Sequence, residues 1–337
     1  RLVYDLASPA QGDFSWGKPG LCVWDWWSKW YLDDVPFNPG INTETYRHYV
    51  DFAVEFGLHW MIVGEGWKQG DDLYAETPGF DLDAVISYAT ARSVRVMLWT
   101  AWRSIDGRQD EYFSHFAKRG VKGFKIDFME RDDAAMMRFM EETLTVAAKY
   151  RICIDFHGCG KPTGLERTYP NLVGIEGVHG LELMKLSFAK DDDFPAHDCQ
   201  VAFTRAPLGM VDYTPGAMMN RTRREWCPDD ENPASQGTRV HQMALYIMFP
   251  VPLQILCDSP SRYRKNPECA RFIAAIPTVW DETKGLAGEI GKFAVVARRK
   301  DDKWWAGAIT DWSPRTLALD TSFLGSGEWN VDIFCDA

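Results

Sequence analysis

Residues 120–133, GVKGFKIDFMERDD, form the stretch that decides the fold of this chain. The preceding residues 111–119 have apolar side chains at helical spacing and two basic residues at their end, and Gly120 is a typical helix stop. A short apolar strand is predicted to begin at Gly123 and to carry Asp127 near its end. A helix that leads directly into a buried strand is the repeating unit of a parallel α/β sheet.

The same alternation of short apolar runs and helical stretches extends in both directions along the chain. Helices are predicted over 43–56, 81–92 and 133–150, with Thr43 as the cap of the first. The pattern contains about eight strand–helix units, which predicts a (β/α)8 barrel of the TIM type. The predicted strands are 21–26, 59–63, 94–99, 123–128, 152–156, 172–175, 201–204 and 253–257.

The pattern changes beyond Trp280, where helical periodicity ends. Apolar runs separated by charged turns predict strands there instead, which indicates an antiparallel β-domain such as a small sandwich. The chain is therefore predicted to be an α/β protein with a (β/α)8 barrel over 20–278 and a partial antiparallel β-domain over 279–337. The predicted strands of that second domain are 292–298, 303–310, 315–319 and 328–334.

Composition disfavours several classes of protein. The formal net charge of −11 argues against a nucleic-acid partner, because phosphate backbones attract basic surfaces. The absence of a run of about eighteen apolar residues argues against a membrane span. The eight cysteines contain no CxxC pair and fit small buried side chains better than a zinc or redox site. The 15 Trp, 12 Tyr and 19 Phe suit stacking on sugar rings, although ordinary cores also use them.

Polar side chains stand at the carboxyl ends of several predicted strands, and in a barrel these ends form the active-site face. Two carboxylates on such a face can divide acid and nucleophile roles when their environments push their pKa values apart. Glycoside hydrolysis uses such a pair. The residues at these strand ends are Asp25, Glu65, Asp127, His157, Glu176 and Glu182.

Each candidate also has a structural interpretation that the sequence leaves open. Asp127 is satisfied equally well by Lys125, by Arg131 or by a backbone amide, and Glu176 and Glu182 fit solvated acids of a glycine-rich turn. His157 orients a carboxylate, binds a substrate hydroxyl or is structural. Tryptophans at the first three strands either wall a sugar pocket or fill the barrel; they are Trp24, Trp26, Trp27, Trp67, Trp99 and Trp102.

Seven strings of the sequence carry a more specific signal. They are VWDWW (23–27), GINTETY (40–46), GVKGFKIDFMERDD (120–133), DFHGCGKPTGLERTYPNLVGIEGVHGLE (155–182), FTRAPLGMVDYTPGAM (203–218), QGTRVHQMALYI (236–247) and PTVWDET (277–283). In this order they resemble glycoside hydrolase family 97, from about residue 20 to residue 323. The resemblance implies a (β/α)8 catalytic barrel between a large N-terminal β-sandwich and a smaller C-terminal β-domain, with calcium near the active site.

This resemblance implies a domain plan and a location. Residues 1–19 are then a linker from an N-terminal domain that the sequence does not contain, and the β-domain over 279–337 is incomplete. Relatives of this type are usually exported, which implies a periplasmic or otherwise exported protein, although no signal segment stands in the sequence.

The resemblance also implies roles for individual residues. Inverting members carry a Glu directly after the His of the fifth strand, whereas Gly158 follows His157 here. Retaining members carry a nucleophilic Asp at the end of the fourth strand, where this chain has Asp127. Glu182 then matches the general acid/base, and Glu176 matches a calcium ligand. Substrate contacts are predicted for Asp25, Trp26, Glu65, Trp67, Trp99, Lys125 and His157.

The sequence thus predicts a retaining, exo-acting α-glycosidase, above all an α-galactosidase, that cleaves an α-linked galactoside or related oligosaccharide by double displacement. The alternatives are an inverting α-glucosidase of the same family and a decayed, carbohydrate-binding relative. The second alternative arises partly from Gly64, because the second strand of the family commonly ends in D-E-G-W. Loss of a carboxylate at residue 64 is expected to shift specificity or weaken activity.

Overall fold

The computed structural model describes residues 2–10, 12–33 and 35–336. Its strands are β1 (Gly20–Val23), β2 (Trp60–Val63), β3 (Lys68–Gln69), β4 (Asp72–Glu76), β5 (Arg95–Ala101), β6 (Gly123–Asp127), β7 (Cys153–Phe156), β8 (Leu172–Ile175), β9 (Asn220–Arg221), β10 (Ser235–Gln236), β11 (Leu253–Leu256), β12 (Glu282–Glu289), β13 (Phe293–Lys300) and β14 (Lys303–Thr310). Its α-helices are α1 (Leu2–Leu6), α2 (Thr43–Glu55), α3 (Leu82–Thr90), α4 (Gln109–Arg119), α5 (Ala134–Lys149), α6 (Leu165–Thr168), α7 (Phe194–Thr204), α8 (Arg239–Met248), α9 (Pro260–Arg264) and α10 (Pro267–Ala275).

Seven parallel strands form a nearly closed barrel in the order β11-β1-β2-β5-β6-β7-β8, which confirms the predicted fold class. The space between β8 and β11 is bridged by the irregular residues 210–215. Within that segment the N–H of Asp212 donates to Ile175 O at 3.1 Å, and Pro215 O accepts from the N–H of Cys257 at 3.2 Å. The backbone of this segment therefore hydrogen-bonds to both sides of the gap, in the place where an eighth strand would stand.

The predicted strand over 201–204 is wrong, because these residues end helix α7. The side chain of Asp193 caps this helix by accepting from the N–H of Ala196, and Pro195 lies in its first turn, where proline is tolerated. A four-residue apolar run does not distinguish a strand from part of a buried helix. The cap at Asp193 and the proline at residue 195, both upstream of the run, are the signals that indicate a helix.

The other helices follow their predicted periodicity, with one change of cap. Helix α2 is capped by Asn42, whose side chain accepts from the N–H of Thr45, and the Thr43 hydroxyl accepts instead from the N–H of Asp81. Helix α4 ends as predicted at Gly120, which adopts the left-handed conformation with φ 107°.

Alternation along the strands separates two apolar layers. Side chains such as Val23, Val63 and Leu98 face the surrounding helices and belong to the large outer core. Their neighbours in sequence, such as Ile62 and Met97, point into the barrel. This period of two is what a strand buried on both faces requires.

The C-terminal region forms a three-stranded antiparallel sheet rather than the expected sandwich. The sheet packs on α7 and α8, and the Arg298 guanidinium donates to the last carbonyls of α8 at Ile247 and Met248. Strand β12 escaped prediction because two glycines interrupt it. The predicted strands over 315–319 and 328–334 are wrong: these residues are largely exposed and have no ladder partner among the described residues.

The proposed division into residues 1–19, 20–278 and 279–337 stays a prediction, and residues 1, 11, 34 and 337 lie outside the described residues. The cysteines are free thiols, and most of them are buried, as expected for small apolar side chains. Within the described residues, no helix is both long enough and apolar enough to cross a membrane.

Candidate active site

Asp127 is the last residue of β6, at the carboxyl end of the barrel. Its Oδ2 accepts from Trp99 Nε1 at 3.1 Å, and its Oδ1 accepts from the N–H of Phe128 at 2.6 Å. Phe128 has a left-handed backbone with φ 62°, so the chain turns sharply as the strand ends. The turn leaves the Asp127 carboxylate half-buried at the barrel mouth.

Gly158 lies against this carboxylate. A Cβ atom at residue 158 would be 3.1 Å from Asp127 Oδ1 and 2.9 Å from the backbone nitrogen of Phe128. Gly158 also has φ 56°, a conformation that favours glycine. The position of Asp127 and the absence of a side chain at residue 158 are therefore coupled by sterics.

Two further carboxylates face the mouth from the next strand end. Glu176 directly follows β8, and its Oε2 accepts from the N–H of Gly158 at 2.7 Å. Glu182 lies in the 3₁₀ turn Leu181–Lys185, and its Oε1 accepts from the Thr214 hydroxyl at 3.3 Å. His157 Nδ1 is 3.5 Å from Glu182 Oε1 and 3.7 Å from Glu176 Oε1. The three side chains form one cluster.

Electrostatics distinguish these acids. Burial raises the pKa of Glu182 to about 7, and the negative charges of Glu176 and Asp127 add to the effect of burial. Desolvation and the charge of Asp127 also raise the pKa of Glu65, which stands after β2. Glu182 is thus suited to hold a proton near neutral pH, as a general acid must.

A buried ionic network lies beneath the carboxylates. Lys125 Nζ is 2.9 Å from Asp155 Oδ2 and 3.4 Å from Asp212 Oδ2. His157 Nε2 is 2.6 Å from the same Asp212 oxygen. The Lys125 ammonium also lies 4.8 Å from the ring centre of Trp24. Every charged side chain in this layer is almost completely buried.

The charges of the network control one another. Although burial opposes a charge on Lys125, its pKa is raised because Asp155 and Asp212 outweigh burial. Burial likewise opposes a charge on His157, and the surrounding carboxylates raise its pKa well above the usual value. Burial raises the pKa of Asp155 to about 6, whereas Lys125 and His157 outweigh burial and lower the pKa of Asp212.

Asp25 occupies a second buried position, next to Gly64. Its Oδ2 accepts from Tyr46 OH at 2.6 Å, from Trp30 Nε1 at 2.9 Å and from the N–H of Gly64 at 3.3 Å. Its Oδ1 has no hydrogen-bond partner among the described residues and would lie 2.2 Å from a Cβ at residue 64. Asp25 therefore fills the space that a side chain at residue 64 would take, and Gly64 is what makes room for it.

The predicted substrate contacts divide into two groups. Trp26, Glu65 and Trp99 lie at the mouth; Glu65 is exposed, Trp26 is half-buried, and Trp99 contacts Asp127. The side chains of the other predicted residues are at most 1% exposed. Those residues are Asp25, Trp67, Lys125 and His157.

Trp67 shows this burial most clearly. Its ring packs edge-on against Phe116 in the outer core, and its Nε1 donates to Trp99 O at 2.7 Å. Lys125 and His157 are held by their carboxylate partners inside the barrel. The predicted substrate contacts of Lys125 and His157 stay predictions, and in this structure both side chains are buried among charged partners.

Three residues of the site were not found from the sequence: Asp155, Asp212 and Thr214. Asp155 carried a signal, because a charged residue in the middle of a four-residue buried strand needs a buried partner. Gly174 on the neighbouring strand makes room for it, since a Cβ there would lie 2.2 Å from Asp155 Oδ1. Asp212 and Thr214 gave little signal, because they lie in a segment without regular structure.

A (β/α) barrel with closely spaced carboxylates at its strand ends is the arrangement that glycoside hydrolases use. Two family models match the chain: glycoside hydrolase 97 over residues 26–178, and the glycosyl-hydrolase 97 C-terminal, oligomerisation model over residues 279–337. The chain therefore belongs to glycoside hydrolase family 97.

Individual relatives agree with this assignment. The chain is 44% identical to a retaining alpha-galactosidase of Bacteroides thetaiotaomicron over 100% of its own length and 51% of the relative. It is 29% identical to a probable retaining alpha-galactosidase of Streptomyces bingchenggensis, over 98% of the chain and 50% of the relative. The chain thus spans about half the length of the curated relatives it matches.

A solved structure matches the fold of the chain. It is a glycoside hydrolase family 97 enzyme from Pseudoalteromonas sp. strain K8, in complex with panose. The TM-score is 0.83 at 27% identity, and the match covers 97% of this chain and 55% of the other.

The Asp25 carboxyl offers a test of this geometry through pH. Burial raises its pKa to about 6 in the folded protein, whereas an Asp in an unfolded chain titrates at about 3.9. The folded state therefore binds this proton more tightly. The stability of the wild type relative to Asp25→Asn should rise as the pH falls from about 7 to about 4, by up to about 3 kcal/mol, and level off below.

The Asn variant is the comparison because its side chain has nearly the same shape, keeps an acceptor oxygen for the donors that surround Oδ2, and does not titrate. Free energies of unfolding from urea titrations at several pH values give the difference. A difference that does not change between pH 4 and pH 8 would mean that Asp25 is not held in the buried environment described here.

Proposed function

We propose that this chain carries the catalytic centre of a retaining, exo-acting α-galactosidase. The observation that carries the proposal is the position of Asp127, whose carboxylate stands at the barrel mouth against Gly158. Asp127 is near enough to Glu182 for its charge to raise the pKa of that second carboxyl. One carboxylate ready to attack and one acid ready to donate a proton are the two groups that retention requires.

The residues support a double displacement. In the first step Asp127 attacks the anomeric carbon while Glu182 gives its proton to the glycosidic oxygen, so the C–O bond breaks and a glycosyl ester of Asp127 forms. In the second step Glu182 takes a proton from water. The resulting hydroxide oxygen bonds to the anomeric carbon, and Asp127 leaves as a carboxylate. Both inversions together return the original anomeric configuration.

The substrate class follows from two kinds of support. Similarity to a protein named retaining alpha-galactosidase favours an α-linked galactoside. Trp26 is half-buried after β1, Glu65 is exposed and close enough to Asp127 for that charge to raise its pKa, and Trp99 donates to Asp127; aromatic and hydrogen-bonding groups of this kind are what a sugar ring needs. We propose these three side chains as substrate contacts.

Gly158 disfavours the alternative that this chain is an inverting α-glucosidase of the same family. An inverting enzyme needs a carboxylate that activates water on the far side of the ring, and the family places it directly after His157. This chain has no side chain there, and Asp127 lies against the space that one would enter. The carbohydrate-binding alternative is separated from the enzyme by the turnover experiment described below.

Calcium is proposed as a cofactor, with Glu176 as a ligand. Carboxylate oxygens are the ligands that Ca²⁺ prefers. The cluster of His157, Glu176 and Glu182 brings ligand atoms within 4.8 Å of one another, and Glu176 Oε1 is not used in a hydrogen bond among the described residues. Within this group, the Glu176 carboxylate fits an oxygen ligand of a calcium shell. When bound, the ion would offset the excess negative charge of the mouth and orient a sugar hydroxyl.

Asp127→Asn in the full-length protein should lower kcat/KM for an aryl α-galactoside by at least roughly a thousandfold, because the amide is a poor nucleophile. Asp132→Asn changes an exposed carboxylate five residues away and should leave the rate unchanged. Proton NMR of the first sugar released by the wild type should show the α-anomer, and a 2-fluoro-galactosyl fluoride should label Asp127. First release of the β-anomer, or equal rates in the two variants, would refute the mechanism.

Removal of metal should reveal the role of Glu176. We expect the metal-stripped full-length protein to bind Ca²⁺ in a calorimetric titration, and Glu176→Gln to weaken binding at least roughly tenfold because a charged ligand is lost. Glu142→Gln on the exposed face of α5 serves as the matched control. Equal affinities of both variants would exclude Glu176 as a ligand.

We also propose that the protein is exported, by analogy with its relatives. Fractionation of the producing cells should then recover the protein outside the cytoplasm, with a cytoplasmic enzyme as marker. Recovery together with that marker would contradict the proposal.

A further inference from the structure

A buried Asp–His pair stands directly behind the proposed acid/base. His157 Nε2 and Asp212 Oδ2 are 2.6 Å apart, and both side chains are 1% exposed. The other ring nitrogen, Nδ1, is 3.5 Å from Glu182 Oε1. Because an ionised Asp212 can accept but cannot donate, the hydrogen bond assigns the Nε2 proton to the imidazole and fixes which edge of the ring faces Glu182.

Asp212 is itself held in place from several sides. Its backbone N–H donates to Ile175 O, which ties it to the end of β8. Its Oδ2 also lies 3.4 Å from Lys125 Nζ, and its Oδ1 accepts from the Thr214 hydroxyl at 3.4 Å. These contacts hold the Asp212 carboxylate in one position, so it can in turn orient the side chains that bind to it.

Thr214 makes a second connection to the acid/base. The same hydroxyl is 3.3 Å from Glu182 Oε1 and 3.4 Å from Asp212 Oδ1, and a single hydroxyl proton can serve only one of them at a time. Glu182 is carried by the short 3₁₀ turn Leu181–Lys185, and its carboxyl group is contacted by the His157 ring and the Thr214 hydroxyl. Both of these contacts connect Glu182 to Asp212.

We propose that Asp212 is a positioning residue for Glu182, acting through the His157 imidazole and the Thr214 hydroxyl. The inference rests on the proposed function, in which Glu182 protonates the leaving group. When a general acid is misaligned, cleavage slows most for leaving groups that need protonation and least for those that do not. Replacement of Asp212 should therefore slow the cleavage of substrates with poor leaving groups more than that of substrates with good ones.

The alternative is that Asp212 only neutralises Lys125. In that case its replacement would lower stability and slow all substrates alike. Asp198 provides a matched control: it is also 1% exposed, and it accepts from a histidine, His241 Nε2 at 2.8 Å, and from Tyr213 OH. Among the described residues, Asp198 makes no hydrogen bond or ion pair with the mouth carboxylates, so Asp198→Asn tests the effect of damaging a buried Asp–His pair as such.

The test compares kcat/KM of the full-length protein for 2,4-dinitrophenyl and phenyl α-galactosides. The first leaving group needs little protonation and the second needs much, so the ratio of the two values reports on the acid. We expect Asp212→Asn to raise this ratio roughly tenfold or more, within the ~10²–10⁴ that a general acid contributes. Thr214→Val, which breaks one connection and leaves the ion pairs intact, should raise it less. Asp198→Asn should leave it at the wild-type value.

Glu182→Gln separates the two proposals, because it should raise the ratio more than any other variant. If the ratio is raised in Glu182→Gln but equals the wild-type value in a folded Asp212→Asn, the positioning role alone is refuted. If the ratio in Glu182→Gln equals the wild-type value, the acid/base assignment is refuted and the inference with it. If Asp212→Asn does not fold, Thr214→Val decides, and a wild-type ratio in that variant counts against the proposal.

Discussion

The ion pairs of Lys125 are the interaction on which the rest of the site depends. An ammonium group inside a barrel is tolerated only when carboxylates pair with it, and Asp155 and Asp212 do so. The dependence is mutual, because without Lys125 two carboxylates would face each other in an apolar interior. Breaking such a buried pair typically costs about 3–5 kcal/mol. Breaking the network would therefore lower the stability of the fold as well as disturb the site.

Above this network, the charge balance changes along the barrel axis. The lower layer pairs Lys125 and His157 with Asp155 and Asp212, whereas the mouth adds three more acids at residues 127, 176 and 182. An excess of negative charge in a partly enclosed site favours positive charge that develops nearby. Glycoside cleavage passes through an oxocarbenium-like transition state. In the proposed mechanism, these carboxylates would stabilise the charge of the transition state, and a bound calcium ion would offset part of their excess negative charge.

Much of the barrel was predictable because each strand is followed by residues whose patterns agree at every level. The strand over β6 has an apolar core, a glycine stop before it and a capped helix after it. Prediction failed at 201–204, where the apolar run was too short to carry a period, and at Asp212, whose segment closes the barrel without regular structure. The roles of Lys125 and His157 depend on partners 30 to 87 residues away, which no local pattern records.

The contact between Gly158 and Asp127 has a consequence for how such a site changes over time. A side chain introduced at residue 158 would push into the Asp127 carboxylate and into the backbone of Phe128. A side chain at residue 158 therefore requires the Asp127 carboxylate and the Phe128 backbone to shift, and it adds strain at a positive φ. A change from retention to inversion would therefore need substitutions at both residues 127 and 158, because either one alone leaves neither arrangement complete. Descendants of this chain are expected to keep the present arrangement.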